Sequence, residues 1–247
     1  MRYFMRLSYR GASYYGWQVQ PHDPSVQQAV EQALATLLRR PTAVTGAGRT
    51  DTAVNAAMMV AHFDVEQPIG NVPLLVRSLN GILPRDIAIQ AVAPMHDTAH
   101  ARFDATSRTY KYFTHTAKSP FLYPLSWPCH VPLDYPLMNQ AAGHLLEVDD
   151  FTSFSKLHTD VKTNRCRVTH AAWEREGEQW VFTITADRFL RNMVRAVVGT
   201  LVDVGTHKIS LQRFDEIIAL RNRSQAGTSM PGHALFLWNI TYPYPIP

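Results

Sequence analysis

One arginine and one aspartate, Arg49 and Asp51, stand among small residues in the segment GAGRTDTAVNA, residues 46 to 56. A guanidinium close to a carboxylate favours the ionised carboxylate and lowers its pKa. An aspartate kept anionic in this way can serve as a nucleophile or a base, but not as an acid. A salt bridge that merely stabilises a turn explains the same two residues, so the segment alone leaves both interpretations open.

A second set of residues suited to chemistry is basic. Arg188, Arg191 and Arg195 follow at i, i+3 and i+7 in a segment that we predict to be helical from about Asp187, where they would share one face. No carboxylate follows in this segment until Asp203, so the arginines lack local neutralisation. An anion such as phosphate would supply it, although a solvated helix face explains the spacing equally well.

Basic residues also cluster elsewhere, with aromatic residues nearby, a combination that suits nucleic-acid backbones and unstacked bases. The net charge of +4 is mild, so the distribution of charge carries this argument and the total does not. The clustered arginines are Arg2, Arg6 and Arg10, Arg39 and Arg40, Arg165 and Arg167, and Arg221 and Arg223; the aromatic residues are Tyr14, Tyr15 and Trp17.

Other chemistries lack their signatures. His96 and His100 have the spacing of two metal ligands on a helix, but no glutamate follows the first histidine and no third ligand is evident, so we predict no metal site. Neither a G-x-S-x-G elbow nor a P-loop occurs, and Cys129 and Cys166 lack the signature of a thiol nucleophile.

The composition indicates a soluble globular protein in a reducing compartment, and we expect it in the cytoplasm. Two cysteines are too few for a disulfide framework. No run approaches the roughly 18 apolar residues that a membrane-spanning helix needs, and the N-terminus is unlike a signal peptide. We therefore expect no membrane association.

Two rounds of strands and helices would position the candidate residues, and they predict domains at residues 1–105 and 106–247. The first round reads as strand, helix, strand, helix and strand, with Ser25 and Gln28 resembling a capping box and Gly81 a C-terminal cap. The second round contains further strands, a long helix over FLRNMVRAVVGTLVDVG and a last strand in ALFLWNITY. Adjacent strands are joined too closely for parallel crossovers, so we predict an α+β fold with antiparallel sheets covered by helices.

Four blocks and a terminal segment, in this order, resemble the tRNA pseudouridine synthase A family. The blocks are LSYRGASYYGWQVQP, GAGRTDTAVNA, ARFDATSRTYKY and FLRNMVRAVVGTL, and the terminal segment is GHALFLWNITY. The resemblance implies two ferredoxin-like halves whose sheets meet across a central cleft, with helices on the outer faces. It also implies a homodimer that binds tRNA and isomerises uridine to pseudouridine at positions 38, 39 and 40 of the anticodon stem-loop, without a cofactor or an essential metal.

Residue roles follow from the same resemblance. It implies that Asp51 is the catalytic aspartate and Arg49 its ion-pair partner. Tyr110 matches the active-site tyrosine, Arg195 a basic residue that pairs with the aspartate, and Leu235 a leucine of the uridine pocket. Arg188 and Arg191 are our candidates for contacts to the tRNA backbone.

The sequence departs from the family pattern at three positions. Ala53 stands where glycine is usual, Asn55 where histidine is usual, and Ala234 where glycine commonly precedes the leucine. If the backbone at residue 53 has a positive φ, alanine there costs on the order of 1 kcal/mol. The alternative function that we weigh is a non-catalytic tRNA-binding or RNA-folding protein on the same scaffold; a hydrolase with paired carboxylates is disfavoured because no second acid lies near a motif.

Overall fold

The structure is a computed structural model that describes residues 1–156 and 163–247. These residues form two compact units, one made of Met1–Thr106 with Leu237–Pro247 and the other of Ser107–Phe236. The units contain both helices and strands, and the strands pair mainly antiparallel, which confirms the α+β prediction. In the part of the chain that is described, no helix is long and apolar enough to cross a membrane.

The first unit alternates strands and helices along the chain. Its elements are β1 (Arg2–Tyr9), α1 (Val26–Leu38), β2 (Thr45–Gly46), β3 (Asn55–Asp64), α2 (Val72–Ile82) and β4 (Ile87–Met95). β1 pairs antiparallel with both β3 and β4 and so lies between them, and β2 adds a short antiparallel pairing to β3.

Local sequence explains where the two helices of this unit begin and end. The Ser25 side chain accepts a hydrogen bond from the amide of Gln28 (3.3 Å) at the start of α1, as predicted. Asn71 caps α2 in the same way. The prediction of Gly81 as the C-terminal cap is wrong: Gly81 lies inside α2, and Leu83, extended before Pro84, ends the helix.

The C-terminal segment Leu237–Pro247 belongs to this first unit and is tied to it by polar contacts. Tyr244 donates to the carboxylate of Asp104 (2.6 Å), and the amide of Thr106 donates to the carbonyl of Thr241 (2.8 Å). The rings of Tyr242 and Tyr244 also pack against Phe4 of β1.

The second unit contains the remaining helices. Its elements are β5 (Ser107–His115), β6 (Trp127–Pro128), α3 (Tyr135–His144), β7 (Val168–Glu176), β8 (Gln179–Ala186), α4 (Met193–Gly205) and α5 (Leu211–Leu220), and β9 (Leu235–Thr241) begins in this unit and ends in the first. β8 lies between β5 and β7 and pairs antiparallel with both, whereas the short β6 pairs parallel with β5.

The predicted start of the long helix is wrong. α4 begins at Met193, because Asn192 adopts a left-handed conformation (φ 66°) that interrupts any helix before it. The carboxylate of Asp187 accepts the amides of Arg167 (2.8 Å) and Arg188 (2.7 Å), which holds the preceding chain in an irregular path. Arg188 and Arg191 therefore share no helix face with Arg195.

Candidate active site

Asp51 lies at the first position of a tight turn between β2 and β3. Its carbonyl accepts the amide of Val54 (3.1 Å), and the third residue of the turn, Ala53, has φ 63°. That position favours glycine because a Cβ crowds the left-handed backbone. The backbone at residue 53 therefore has the positive φ that the family pattern suggests, and Ala53 introduces strain on the order of 1 kcal/mol beside Asp51.

Two glycines of the N-terminal segment pack directly against this turn. A Cβ at Gly11 would overlap the carbonyl oxygen of Val54, and a Cβ at Gly16, where φ is 100°, would overlap that of Thr50. Only glycine allows the two backbones to come this close. Residues that are distant in sequence therefore shape the turn that carries Asp51.

Backbone hydrogen bonds join the same segments. The amide of Trp17 donates to the carbonyl of Thr50, and the amide of Ala53 donates to that of Tyr14, both at 3.2 Å. The buried Trp17 indole packs under Gly46, where a Cβ would lie 2.6 Å from the ring. The turn is held from one side by residues 14 to 17.

Two buried side-chain hydrogen bonds complete this support. The Tyr9 hydroxyl bonds to Oγ1 of Thr50 (2.8 Å), and Oδ1 of Asn55 accepts the amide of Gly11 (2.9 Å). Thr50 and Asn55 are 7% and 1% exposed, whereas Asp51 between them is half-buried. A half-buried carboxylate on a rigidly held turn can be presented to a ligand in one defined position.

Arg49 is exposed and turned toward the N-terminal segment. Its Nε donates to Oε1 of Gln18 (3.1 Å). The ion pair with Asp51 that the resemblance implies stays a prediction.

Tyr110 lies in the second unit, in β5 opposite Ile184 of β8. Its ring meets the Phe189 ring edge to face, with centroids 5.0 Å apart and planes at 82°. Both residues are half-buried, so this contact orients an aromatic ring that keeps part of its surface open.

Arg195 lies in the first turn of α4 and fastens a following loop to that helix. Its Nε donates to the carbonyl of Met230, and the amide of Met230 donates back to the carbonyl of Arg195 (3.1 Å). Nearby, the amide of Gly227 donates to Oγ1 of Thr200 (2.9 Å). These contacts hold the Nε end of the Arg195 side chain against the loop.

The fastened loop leads into β9, which begins at Leu235. Leu235 is 5% exposed, and the preceding Ala234 is fully buried. Sequence reasoning missed the residue that holds this loop: Arg223 donates to the carbonyl of Gly227 (3.1 Å) and to Oγ of Ser229 (2.8 Å), and burial lowers the pKa of its guanidinium. Its position in an arginine pair gave no signal of this structural role.

The structure separates the remaining clustered arginines by their partners. Arg191 is exposed and Arg188 half-buried in the segment before α4. Other arginines are engaged by carboxylates in the ion pairs Arg2–Asp64, Arg40–Glu66, Arg165–Asp149 and Arg221–Asp150. Charge that looked available for nucleic acid in the sequence is thus partly neutralised within the protein.

The two histidines with metal-ligand spacing lie in the loop after β4, not on a helix. Nδ1 of His100 accepts the amides of Arg102 (3.1 Å) and Phe103 (3.2 Å), and Nδ1 of His96 bonds to Thr98 (2.9 Å). Over residues 1–156 and 163–247, no group of three histidine, cysteine or acidic side chains is placed to bind a metal.

Comparison with known proteins identifies the family. A sequence profile described as tRNA pseudouridine synthase matches residues 141–243. The chain is 54% identical to tRNA pseudouridine synthase A of Parabacteroides distasonis, over 98% of this chain and 96% of that protein. Identity is 55% to the Bacteroides fragilis protein of the same name (99% and 98% covered) and 37% to that of Bacillus subtilis (98% and 99% covered). The chain therefore belongs to the tRNA pseudouridine synthase A family.

Proposed function

We propose that this protein isomerises uridine to pseudouridine in tRNA, at positions 38, 39 and 40 of the anticodon stem-loop. The N1–C1′ glycosidic bond breaks, the uracil turns, and C5 forms the new bond to C1′. The proton on C5 is lost, and N1 takes one up, so the reaction needs no oxidant or reductant. Family membership supports the reaction, and the rigidly held turn that presents Asp51 is the structural observation that supports this residue as its catalytic carboxylate.

In this proposal Asp51 acts in its anionic form on the bound uridine, as a nucleophile or as a base. Arg49 and Arg195 favour that charge when the RNA is bound. The target base must leave its stack to be reached, and we assign the Tyr110 ring to hold it by stacking. Leu235 contributes apolar surface that helps to exclude water while the base is detached.

Further parts of the proposal concern binding partners and location. Arg188 and Arg191 contact phosphates of the tRNA backbone, and the enzyme acts as a homodimer, as the family resemblance implies. Because its substrate is tRNA, we place the enzyme in the cytoplasm. We expect activity without an added cofactor or metal.

Release of tritium from tRNA labelled at uridine C5 tests the reaction and the role of Asp51 together. We expect release by the wild-type protein in the presence of a chelator, and a loss of about 100-fold or more in Asp51→Asn. Asp97→Asn, which changes a highly exposed carboxylate of the same unit, is the matched control and should retain activity.

Two outcomes would contradict the proposal. Equal release from Asp51→Asn and wild type would remove Asp51 from the mechanism. Tight tRNA binding by the wild-type protein without any release would favour the alternative of a non-catalytic tRNA-binding or RNA-folding protein.

A further inference from the structure

We infer that Arg6 binds a phosphate group of the RNA, on a face of the first unit's sheet that no sequence motif marks. The inference rests on the proposed function, because tRNA supplies the phosphate. It separates Arg6 from Arg2 of the same N-terminal cluster, which the sequence could not distinguish.

Alternation along β1 places Arg6 on the same sheet face as Phe4 and Ser8. The opposite face, with Tyr3, Met5 and Leu7, is buried, and the Tyr3 hydroxyl accepts the amide of Ile69 just before α2 (3.0 Å). Arg6 therefore lies on the face away from that approach to α2.

This face is partly open on the β4 side of Arg6, whereas Val60, its partner on β3, is buried. The residue paired with Arg6 on β4 is Ala91, which is half-buried, and the residue paired with Ser8 is Ala88, which is exposed. Alanine side chains are short, so they leave the guanidinium room to reach a ligand above the sheet.

The Arg6 guanidinium has a buried donor without an acceptor. Within the part of the chain that the structure describes, its Nε is inaccessible to solvent and makes no hydrogen bond. Native proteins rarely leave such a donor unpaired, and each case calls for an explanation such as a bound ligand or water. Rotation that brings this Nε toward an anion would break no hydrogen bond at Nε.

Arg2 shows what a structural arginine looks like on the same face. Its Nε and Nη2 bond to the carboxylate of Asp64 (2.9 and 2.8 Å), and its Nη1 bonds to the carbonyl of Ala99 (2.7 Å). The protein satisfies all three of its nitrogens. Arg6 lies four residues further along β1, on the same face, and its Nε lacks the hydrogen bond that the Nε of Arg2 makes.

Phosphate is the acceptor that matches this group. A guanidinium presents parallel N–H donors that bond two phosphate oxygens at once, and this charge-assisted pairing is stronger than a neutral hydrogen bond. Each phosphate that a protein neutralises adds about 0.9 to the slope of log K against log salt for duplex nucleic acid, and about 0.7 for single strands.

The test compares Arg6→Met with Arg77→Met. Arg77 is exposed on α2, in the same unit, so both substitutions remove one positive charge and retain an apolar stem. Dissociation constants for unmodified tRNA are measured over a series of KCl concentrations, and melting temperatures are measured without RNA.

We expect Arg6→Met to weaken tRNA binding several-fold and to reduce the salt slope by roughly 1, with an equal or higher melting temperature because no hydrogen bond at Nε is lost. Arg77→Met should change neither the slope nor the affinity by a comparable amount. Weaker binding in a protein of unchanged or greater stability is the combination that a purely structural arginine would not give.

Other results would overturn the inference. An unchanged salt slope in Arg6→Met would show that residue 6 contacts no phosphate, as expected if a buried water satisfies Nε. A lower melting temperature together with an unchanged slope would make Arg6 structural. If wild-type protein neither binds nor modifies tRNA, the proposed function fails. The same salt titration with a uridine oligonucleotide still tests Arg6 in that case. Equal slopes of log K against log salt for Arg6→Met and Arg77→Met would exclude the phosphate contact.

Discussion

The amide of Gly11 donates a hydrogen bond to the side-chain oxygen of Asn55 over 2.9 Å, in a place closed to solvent. This contact joins the N-terminal segment to the first residue of β3, four positions after Asp51. The resemblance implies a histidine at this position, and Oδ1 of asparagine can accept a hydrogen bond as Nδ1 of a neutral imidazole does.

Replacing Asn55 by alanine should leave the Gly11 amide buried without an acceptor. We expect the free energy of unfolding to fall by about 1–3 kcal/mol, measured by urea denaturation. Asn55→His can restore an acceptor and should lose less. If Asn55→Ala unfolds at the same urea concentration as wild type, the contact contributes nothing to stability.

The left-handed conformation of Ala53 predicts a stabilising substitution. Ala53→Gly should raise the free energy of unfolding by about 1 kcal/mol, because glycine adopts φ 63° without crowding a Cβ. Ala57→Gly, in β3, is the control and should have the opposite sign, since glycine weakens a strand. Thermal denaturation of the two variants decides the matter, and a loss of stability in Ala53→Gly would refute the strain.

Local sequence patterns predicted the helices α1 and α2 and the strands β1, β3 and β4 of the first unit, because amphipathic spacing, strand alternation and capping residues are local signals. They failed at the start of α4. The hydrogen bond from the Arg188 amide to the Asp187 carboxylate and the left-handed backbone of Asn192 delay the helix, and the spacing of apolar residues predicts neither of them. Arg188 and Arg191 were misplaced for that reason.

The site was predictable in part, for a different reason. The motif around Asp51 and its departures at residues 53 and 55 are visible in the sequence. Its support by Gly11 and Gly16 is not, because those contacts join segments that lie about 40 residues apart, and a glycine shows its close neighbours only in the folded chain. The separation of Arg2 from Arg6 likewise depends on Asp64, a partner on another strand.

Stability should depend on pH through His62. Burial, with help from the charge of Arg2, lowers the pKa of His62 to about 4, and Nδ1 of this ring accepts the amide of Ala101 (3.1 Å). The unfolded chain binds a proton near pH 6.5, whereas the folded chain does so only near pH 4. The free energy of unfolding should therefore fall as pH is lowered through this window.

Denaturation at pH 7 and pH 4.5 measures this contribution. His62→Asn keeps an acceptor for Ala101 but does not titrate, so it should flatten the dependence. Burial also lowers the pKa of His100, so part of the pH dependence of stability should remain in His62→Asn. Equal profiles for His62→Asn and wild type would contradict the assignment.

The buried hydroxyl of Tyr112 predicts a substitution that costs nothing. The residue is fully buried, its hydroxyl has no hydrogen-bond partner among residues 1–156 and 163–247, and burial raises its pKa. Tyr112→Phe should leave the free energy of unfolding unchanged or raise it by about 1 kcal/mol.

Tyr9→Phe is the matched control, because it deletes a buried hydroxyl that bonds to Thr50 (2.8 Å). It should lower the free energy of unfolding by about 1 kcal/mol, so that of the two Tyr→Phe variants only Tyr9→Phe loses stability. A loss of stability in Tyr112→Phe, measured in the same urea titration, would mean that its hydroxyl is satisfied in solution.

The return of Leu237–Pro247 to the first unit has a consequence for synthesis of the protein. Domains generally fold in the order in which they leave the ribosome. Here the unit that contains Asp51 still lacks residues 237 to 247 when residue 106 has emerged. The intervening Ser107–Phe236 must be translated before Tyr242 and Tyr244 can pack on Phe4. Nascent chains should therefore acquire a stable second unit before the first one is complete, and a premature stop just after residue 236 should damage the unit that was synthesised earliest.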